Sequence, residues 1–138
     1  MTDQKNARQS LSDTYGAFIN NEFQKINNDR FPALSAATGE HLSEFSRCGV
    51  DDINKAVAAA KAAFPKWSAT TPEERADCLN KLANAVEENA ERLTMIDTLD
   101  IGRGLWETSL DHVFAVQQYR YFAAAGLTLE GWGRPISN

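Results

Sequence analysis

The chain has 138 residues, a net charge of −5, 43% hydrophobic residues and two cysteines, which predicts one globular domain that needs no disulfide framework. No apolar run approaches the roughly 20 residues of a membrane-spanning helix, and the polar first ten residues lack the apolar segment of a secretory signal peptide. The acidic balance, with a pI near 5.0, argues against a nucleic-acid-binding surface. We therefore expect a cytoplasmic protein without nucleic-acid or membrane partners.

Polar and apolar residues divide the chain into three regions. Residues 1–13 are rich in Gln, Asn, Asp and Ser, and we interpret them as a flexible N-terminal arm. Residues 14–46 contain short alternating segments with turn residues and are interpreted as a β-hairpin region. From 47 to 138 the apolar residues recur with the period of an α-helix. Few strands accompany these helices, which indicates that part of their packing surface is missing.

Two hairpins are predicted in the β-hairpin region. In residues 17–24, the central pair Asn20-Asn21 tolerates the positive φ that a tight hairpin turn requires. A second antiparallel pair is predicted within residues 31–45. Pro32 lacks a backbone N–H, so we expect its strand to lie at the edge of the sheet.

The first predicted helix begins near Val50. Either Asp51 or Asp52 is suited to cap its start, and Pro65 is expected to stop it. The residues on its apolar face are mostly small, so we expect this helix to pack closely against a neighbour.

Three further helices follow. Thr71 is predicted as the N-cap of the first of these three helices, and Glu74 completes a capping box. Asn89 marks a break before the next helix, which ends at Gly102. The last helix is predicted to begin near Leu105 and to end near Gly126.

The last helix carries aromatic residues on more than one face. Such residues usually belong to a core, but a single core-facing stripe does not hold all of them. Part of this cluster is therefore interpreted as lining an interface or a pocket. Its large members are Leu105, Trp106, Phe114, Tyr119, Tyr121 and Phe122.

Glycine and histidine patterns do not indicate a nucleotide or metal site. Gly102 and Gly104 begin a G-x-G, but Glu107 stands where the third glycine belongs and no strand precedes. His41 and His112 are far apart and have no Cys or carboxylate at ligand spacing. A partly exposed or hydrogen-bonded histidine is the favoured interpretation of His112.

The two cysteines have different predicted environments. Cys48 precedes a helix start, a position typical of reactive thiols, but no base is assignable that would make it a nucleophile. Cys78 lies within a helix and is interpreted as a small, half-buried apolar residue.

Taken in order, these segments resemble the N-terminal quarter of the NAD(P)-dependent aldehyde dehydrogenases, with acetaldehyde-type bacterial members as the nearest pattern. The resemblance runs from Tyr15 to Ile136 and is strong as an ordered series. It departs at Ser35-Ala36, where the family has Asn-Pro, and at Arg103-Gly104, where it has Lys-Pro. The segments that carry it are YGAFINNEF at 15–23, ATGE at 37–40, DDINKAVAAAKAAF at 51–64, TLDIGR at 98–103 and YRYFA at 119–123.

The resemblance implies an α/β, Rossmann-like family fold. This segment of it is mostly α-helical with N-terminal β-hairpins. Residues 47–138 then correspond to the incomplete, helical N-terminal part of a cofactor-binding domain.

The family's chemistry implies groups that lie downstream of the matched segment. In the family a Cys thiolate attacks the aldehyde, hydride passes to NAD or NADP, and a Glu activates water to hydrolyse the thioester. Neither Cys48 nor Cys78 falls at the nucleophile motif. We therefore assign no catalytic and no cofactor-binding residue, and we expect no cofactor to bind this chain alone.

The resemblance implies only peripheral roles for residues of this chain, and it does so from their positions in the family's pattern. Leu34 and Asp100 resemble residues near a monovalent cation site that some members have. Leu110 and Phe114 fall where the family's helix contributes to the mouth of the substrate tunnel. The alternative for all four is structural: the three apolar residues pack, and Asp100 bonds backbone amides near the helix end at Gly102.

The resemblance implies a truncated aldehyde dehydrogenase whose family oxidises aldehydes to carboxylic acids, and we expect this chain alone to be inactive. The alternative is a non-catalytic binding or regulatory module. Such a module would associate with a full-length aldehyde dehydrogenase or with itself as a homo-oligomer.

Overall fold

A computed structural model of the chain describes residues 8, 11–25 and 27–131. Three strands form one sheet: β1 (Thr14–Tyr15), β4 (Arg30–Leu34) and β5 (His41–Ser46), in the order β1-β5-β4. β4 pairs antiparallel with β5, as predicted, and Pro32 lies in the edge strand where its missing N–H leaves no ladder bond unmade. β1 runs parallel to the central strand β5, a pairing that the sequence pattern did not predict.

A two-stranded hairpin lies between β1 and β4 in the chain. It consists of β2 (Phe18–Ile19) and β3 (Glu22–Phe23), as predicted. Asn20 and Asn21 have φ of 55° and 63°, the values that a twisted two-residue turn requires. The rings of Phe18 and Phe23 meet edge to face at 4.9 Å between centroids.

The helix α1 (Val50–Ser68) differs from its prediction at both ends. Gly49, rather than Asp51 or Asp52, is the N-cap, and the Asp52 carboxylate accepts the Gly49 N–H at 3.1 Å from the third helical position. Pro65 does not stop the helix, which continues to Ser68. The proline costs only one main-chain hydrogen bond so close to the helix end.

Three helices pack together after α1: α2 (Pro72–Glu88), α3 (Ala90–Ile101) and α4 (Leu105–Leu127). The predicted capping box starts α2, with Thr71 Oγ1 accepting from Glu74 N–H at 3.2 Å and the Glu74 carboxylate accepting from Thr71 N–H at 2.8 Å. Asn89 separates α2 from α3, as predicted. α4 crosses both of the other helices.

The core of the described residues is small and lies where α2, α3 and α4 meet. Its buried apolar residues are Ala76, Ala83, Met95, Val116 and Ala123. By contrast, large side chains such as Phe64, Trp106 and Phe122 are more than half exposed. α1 has no buried residue, so the close packing that its small residues predicted is not found within the described part of the chain. This distribution is that of a segment with unfilled packing surfaces.

The predicted N-terminal arm is described only in part. Residues 1–7, 9 and 10 lie outside the described residues. The Arg8 guanidinium lies 2.7 Å from the Glu40 carboxylate, and Ser43 Oγ donates to the Ser12 carbonyl at 2.6 Å. None of the helices described has the length and apolar character needed to cross a bilayer.

Candidate functional site

The end of α3 meets the loop that follows β4. The Ala36 N–H donates to the main-chain carbonyl of Asp100 at 3.2 Å. Gly102 ends the helix at φ 75°, and a Cβ there would lie 3.0 Å from the Ala37 nitrogen. Glycine thus lets the loop approach closely, and the contact brings the end of β4, at Leu34, to the same junction as Asp100.

The junction presents oxygen ligands rather than a closed metal site. The Asp100 residue is exposed, and within residues 11–25 and 27–131 its carboxylate has no ion-pair partner. The Leu34 side chain is apolar and has no ligand atom, so only its main-chain carbonyl is suited to a hard cation. No group of three or more His, Cys, Asp or Glu side chains with metal-binding proximity exists among the described residues.

A cleft of about 350 Å³ opens between the β1-β5-β4 sheet and α3. The rings of Tyr15 and Phe45 stack at 5.3 Å on its sheet side. Arg92, Ile96 and Asp100 line it from α3 at spacings of four residues, which is one face of the helix. Asp100 therefore faces both the cleft and the junction.

The start of α4 is fixed onto α3 by two threonines. Thr98 Oγ1 and Thr108 Oγ1 are 2.6 Å apart, and Thr108 is fully buried. The Thr108 hydroxyl also lies 3.2 Å from the carbonyls of Gly104 and Leu105. These bonds fix the rotation of α4 about its axis and so decide which of its faces points away from α3.

Leu110 and Phe114 lie on the face of α4 that points away from the other helices. Leu110 is 41% exposed and Phe114 is 56% exposed, whereas Val116 is buried on the opposite side of the helix. We define the outer face of α4 by its exposed large apolar residues within one helical arc: Trp106, Leu110, Val113, Phe114 and Tyr121. Tyr119, by contrast, is half buried on the side of Val116, so the aromatic residues of the helix occupy more than one face, as predicted.

His112 and the two cysteines form no catalytic arrangement. The His112 side chain is 14% exposed, and Nε2 lies 3.1 Å from Asp97 Oδ2, which fits the structural interpretation of this residue. Cys48 is exposed, and its Sγ contacts the Ser46 carbonyl at 3.9 Å. The prediction that Cys78 is half buried is wrong: the residue is exposed because it lies on the solvent side of α2.

The described residues do not fit a dinucleotide. A pyrophosphate is held by a strand, a glycine-rich turn and a helix N-terminus in succession. Among the described residues, the strand that a helix follows directly is β5, and the turn between it and α1 holds a single glycine, Gly49, with the Asp51 and Asp52 carboxylates in the first helical turn. Those negative charges oppose a phosphate, and a single glycine does not make a glycine-rich turn.

Comparison with known proteins decides the relationship. A sequence model described as the aldehyde dehydrogenase family matches residues 23–138. The chain belongs to the aldehyde dehydrogenase family. It is 35% identical over 126 residues to an acetaldehyde dehydrogenase from Pseudomonas aeruginosa, covering 90% of this chain and 25% of that protein.

Solved aldehyde dehydrogenases share the fold. A γ-glutamyl-γ-aminobutyraldehyde dehydrogenase from Burkholderia cenocepacia matches with a TM-score of 0.88 at 28% identity, over 99% of this chain and 28% of that one. Betaine aldehyde dehydrogenase from Staphylococcus aureus, solved with NAD+, matches with a TM-score of 0.81 at 27% identity, over 91% of this chain and 26% of that one. The chain thus spans about a quarter of the length of these relatives.

The family and the fold class predicted from the sequence are confirmed. The matched region is the helical segment with short N-terminal strands.

Proposed function

We propose that the chain acts as the N-terminal segment of an NAD(P)-dependent aldehyde dehydrogenase and has no dehydrogenase activity alone. The single observation that carries this is the ordered match to about a quarter of each relative. Within the described residues, both cysteines are exposed, and the turn between β5 and α1 holds a single glycine. The segment would contribute structure and the approach to the site, while the reacting groups belong to the rest of the polypeptide.

The test is an assay of NAD+ and NADP+ reduction with acetaldehyde. The purified chain should give no turnover, while the Pseudomonas aeruginosa relative in the same assay gives the positive control. A chimera in which this chain replaces the matching quarter of that relative should oxidise acetaldehyde. Turnover by the chain alone, or an inactive but folded chimera, would contradict the proposal.

Leu34 and Asp100 are proposed to hold a monovalent cation. The Asp100 carboxylate and the Leu34 main-chain carbonyl would supply two of its oxygen ligands at the junction with the loop after β4. We expect the melting temperature of the chimera to be higher in KCl or NaCl than in choline chloride. Asp100→Asn should remove this difference in melting temperature. Asp51→Asn alters an exposed carboxylate that is distant from Asp100 in the sequence, and it should preserve the difference.

Leu110 and Phe114 are proposed to line the mouth of the substrate tunnel. They are exposed neighbours on the outer face of α4, one helical turn apart. In the chimera, Phe114→Ala should change KM for a bulky aldehyde more than KM for acetaldehyde. The same substitution at Phe122, exposed on another side of α4, should leave that ratio unchanged.

The second candidate function is a binding or regulatory module without catalysis. The exposure of large apolar residues on both α1 and α4 favours it. Its partner would be a full-length aldehyde dehydrogenase or a second copy of the chain. Native mass spectrometry of the chain alone, and of the chain mixed with the Pseudomonas aeruginosa relative, distinguishes these partners.

A further inference from the structure

The cleft between the β1-β5-β4 sheet and α3 has the size and the lining of a small-molecule site. Its volume of about 350 Å³ lies within the range of pockets that enclose small ligands. It is separate from the outer face of α4, and the proposed cation at Asp100 lies at one end of it. The side chains of its two walls determine which ligand chemistry it suits.

The wall on the sheet side is aromatic. Tyr15 stands opposite Phe45 in the register of β1 and β5, and their rings stack with an angle of 20° between the planes. The ring of Phe31 continues this row on β4, with its centroid 5.9 Å from that of Phe45. Phe45 is 38% exposed, so part of its ring is accessible from the cleft. Such a wall suits a planar apolar group, because aromatic rings stack or meet edge to face.

This aromatic wall is held in place by hydrogen bonds from the chain that precedes β1. The Ser12 N–H donates to the Tyr15 hydroxyl at 2.9 Å. Ser43, which is buried beside the cleft, fixes the Ser12 carbonyl from the central strand. A wall that is already formed loses little conformational freedom when a ligand binds.

The wall on the helix side carries one cation and one anion, far apart. Arg92 and Asp100 are eight residues apart, which is about 12 Å along the helix, and Ile96 lies between them. Arg92 is exposed, and no carboxylate of the described residues lies within ion-pair distance of its guanidinium. A guanidinium in this state is suited to bind a carboxylate through two parallel N–H donors.

We propose that the cleft binds a small aromatic carboxylate. The ring would lie against Tyr15 and Phe45, and the carboxylate would bind Arg92, at the end of the cleft away from the negative charge of Asp100. The proposal goes beyond the proposed function, since neither the aldehyde nor the dinucleotide takes part in it. Phenylacetate combines the two features in a small molecule and is the probe for the tests.

Titration of the isotope-labelled chain with phenylacetate, followed by amide NMR shifts, tests the proposal. The shifts should saturate and should concentrate in β1, β5 and α3. Acetate lacks the ring and benzylamine lacks the carboxylate, so each should bind at least roughly tenfold more weakly than phenylacetate. Equal affinity for phenylacetate and either of the other two compounds would overturn the proposal.

Two substitutions of the same kind separate a specific contact from general attraction between charges. Arg92→Gln should weaken phenylacetate binding at least roughly tenfold, because it removes a charge-assisted hydrogen bond. Lys61→Gln removes the same charge from an exposed position on α1 and should preserve the affinity. Both side chains are exposed, so we expect both variants to fold. Equal affinities of the two variants would contradict the role of Arg92.

The chimera shows whether the site persists in a longer polypeptide. Phenylacetate should bind it with an affinity within a fewfold of that of the chain alone. Loss of binding in the chimera would show that other residues fill the cleft and would overturn the proposal. Acetaldehyde oxidation, measured on the same sample, tests the proposed function separately: a folded chimera that binds phenylacetate without turnover supports the site and contradicts that function.

Discussion

Gly102 occupies a position that only glycine fills without strain. Its φ is 75°, and a Cβ would come within 3.0 Å of the Ala37 main-chain nitrogen. Gly39 has nearly the same φ, 73°, but a Cβ there would meet no atom within 4 Å. The two glycines therefore separate the cost of the left-handed backbone from the cost of the contact with the loop.

We predict that Gly102→Ala destabilises the chain more than Gly39→Ala. The control should lose about 1 kcal/mol of unfolding free energy from the backbone conformation alone. Gly102→Ala should lose more, because the added methyl also pushes the loop away from α3. Urea unfolding followed by circular dichroism measures both, and equal losses would show that the loop contact contributes nothing.

At the residue scale, the sequence allowed the local interactions to be predicted. The capping box of Thr71 and Glu74, the positive φ of Asn20 and Asn21 and the helix end at Gly102 depend on residues within a few positions. The start of α1 was predicted less well, because Gly49 has no side chain that identifies a cap. The approach of Gly102 to Ala37 depends on residues 65 positions apart and has no local pattern.

At the scale of the element, α4 is apolar on two opposite faces. One face packs against α2 and α3 through Val116 and Ala123, and the outer face is exposed. A helix with two apolar faces has more apolar surface than α2 and α3 cover. The sequence identifies the aromatic residues of α4. Which of them are exposed depends on the rotation of the helix about its axis, and the contact between Thr98 and Thr108 sets that rotation.

We predict unequal effects of the same substitution on these two faces. Val116→Ala should cost about 2 kcal/mol of unfolding free energy, since it removes buried methyl groups from the small core. Val113→Ala, at a residue that is 50% exposed, should change the free energy by less than about 0.5 kcal/mol. Chemical denaturation of both variants checks this, and comparable losses would contradict the assignment of faces.

The start of α2 makes the stability of this helix depend on pH. The pKa of Glu73 is lowered from 4.5, first by a hydrogen bond from its own backbone N–H and second by one from Thr71. A lowered pKa means that the ionised form is favoured by folding, so its contribution is present above pH 4.5 and is lost as the pH falls through the folded-state value.

We predict that Glu73→Gln lowers the melting temperature at pH 6. The difference from the unsubstituted chain should shrink as the pH falls below 4.5, because the folded-state carboxylate then takes up a proton. Glu88→Gln, at the other end of the same helix, is the control. Calorimetry between pH 6 and pH 3 tests this, and a constant difference would contradict it.

At the scale of the whole molecule, the described residues expose more large apolar side chains than they bury. The core holds small residues and Met95, while aromatic residues of α1 and α4 face outward. We predict that the folded chain raises the fluorescence of an apolar dye such as ANS in neutral buffer. The chimera should raise it several times less per chain, and equal dye binding would indicate that these faces stay uncovered.

The order of elements could be predicted from the sequence, but the arrangement of the strands could not. Hydrophobic periodicity separated the hairpin region from the helices. β1 contains only Thr14 and Tyr15, which is too short for a period, and its parallel partner β5 is 30 residues away. The alanine-rich face of α1 predicted close packing, yet no residue of α1 is buried within the described part of the chain. Length alone predicted a self-sufficient domain, whereas the family comparison showed a quarter of a longer fold.

The short link between α3 and α4 has a consequence for the order of events during synthesis. The Thr98–Thr108 contact spans ten residues, and a loop of that size closes within about 100 ns, far faster than a ribosome adds a residue. The helical trio is therefore able to assemble on a nascent chain as soon as α4 has left the ribosome. The outer face of α4 is exposed in that trio, and an exposed apolar face of this kind is a surface to which chaperones bind.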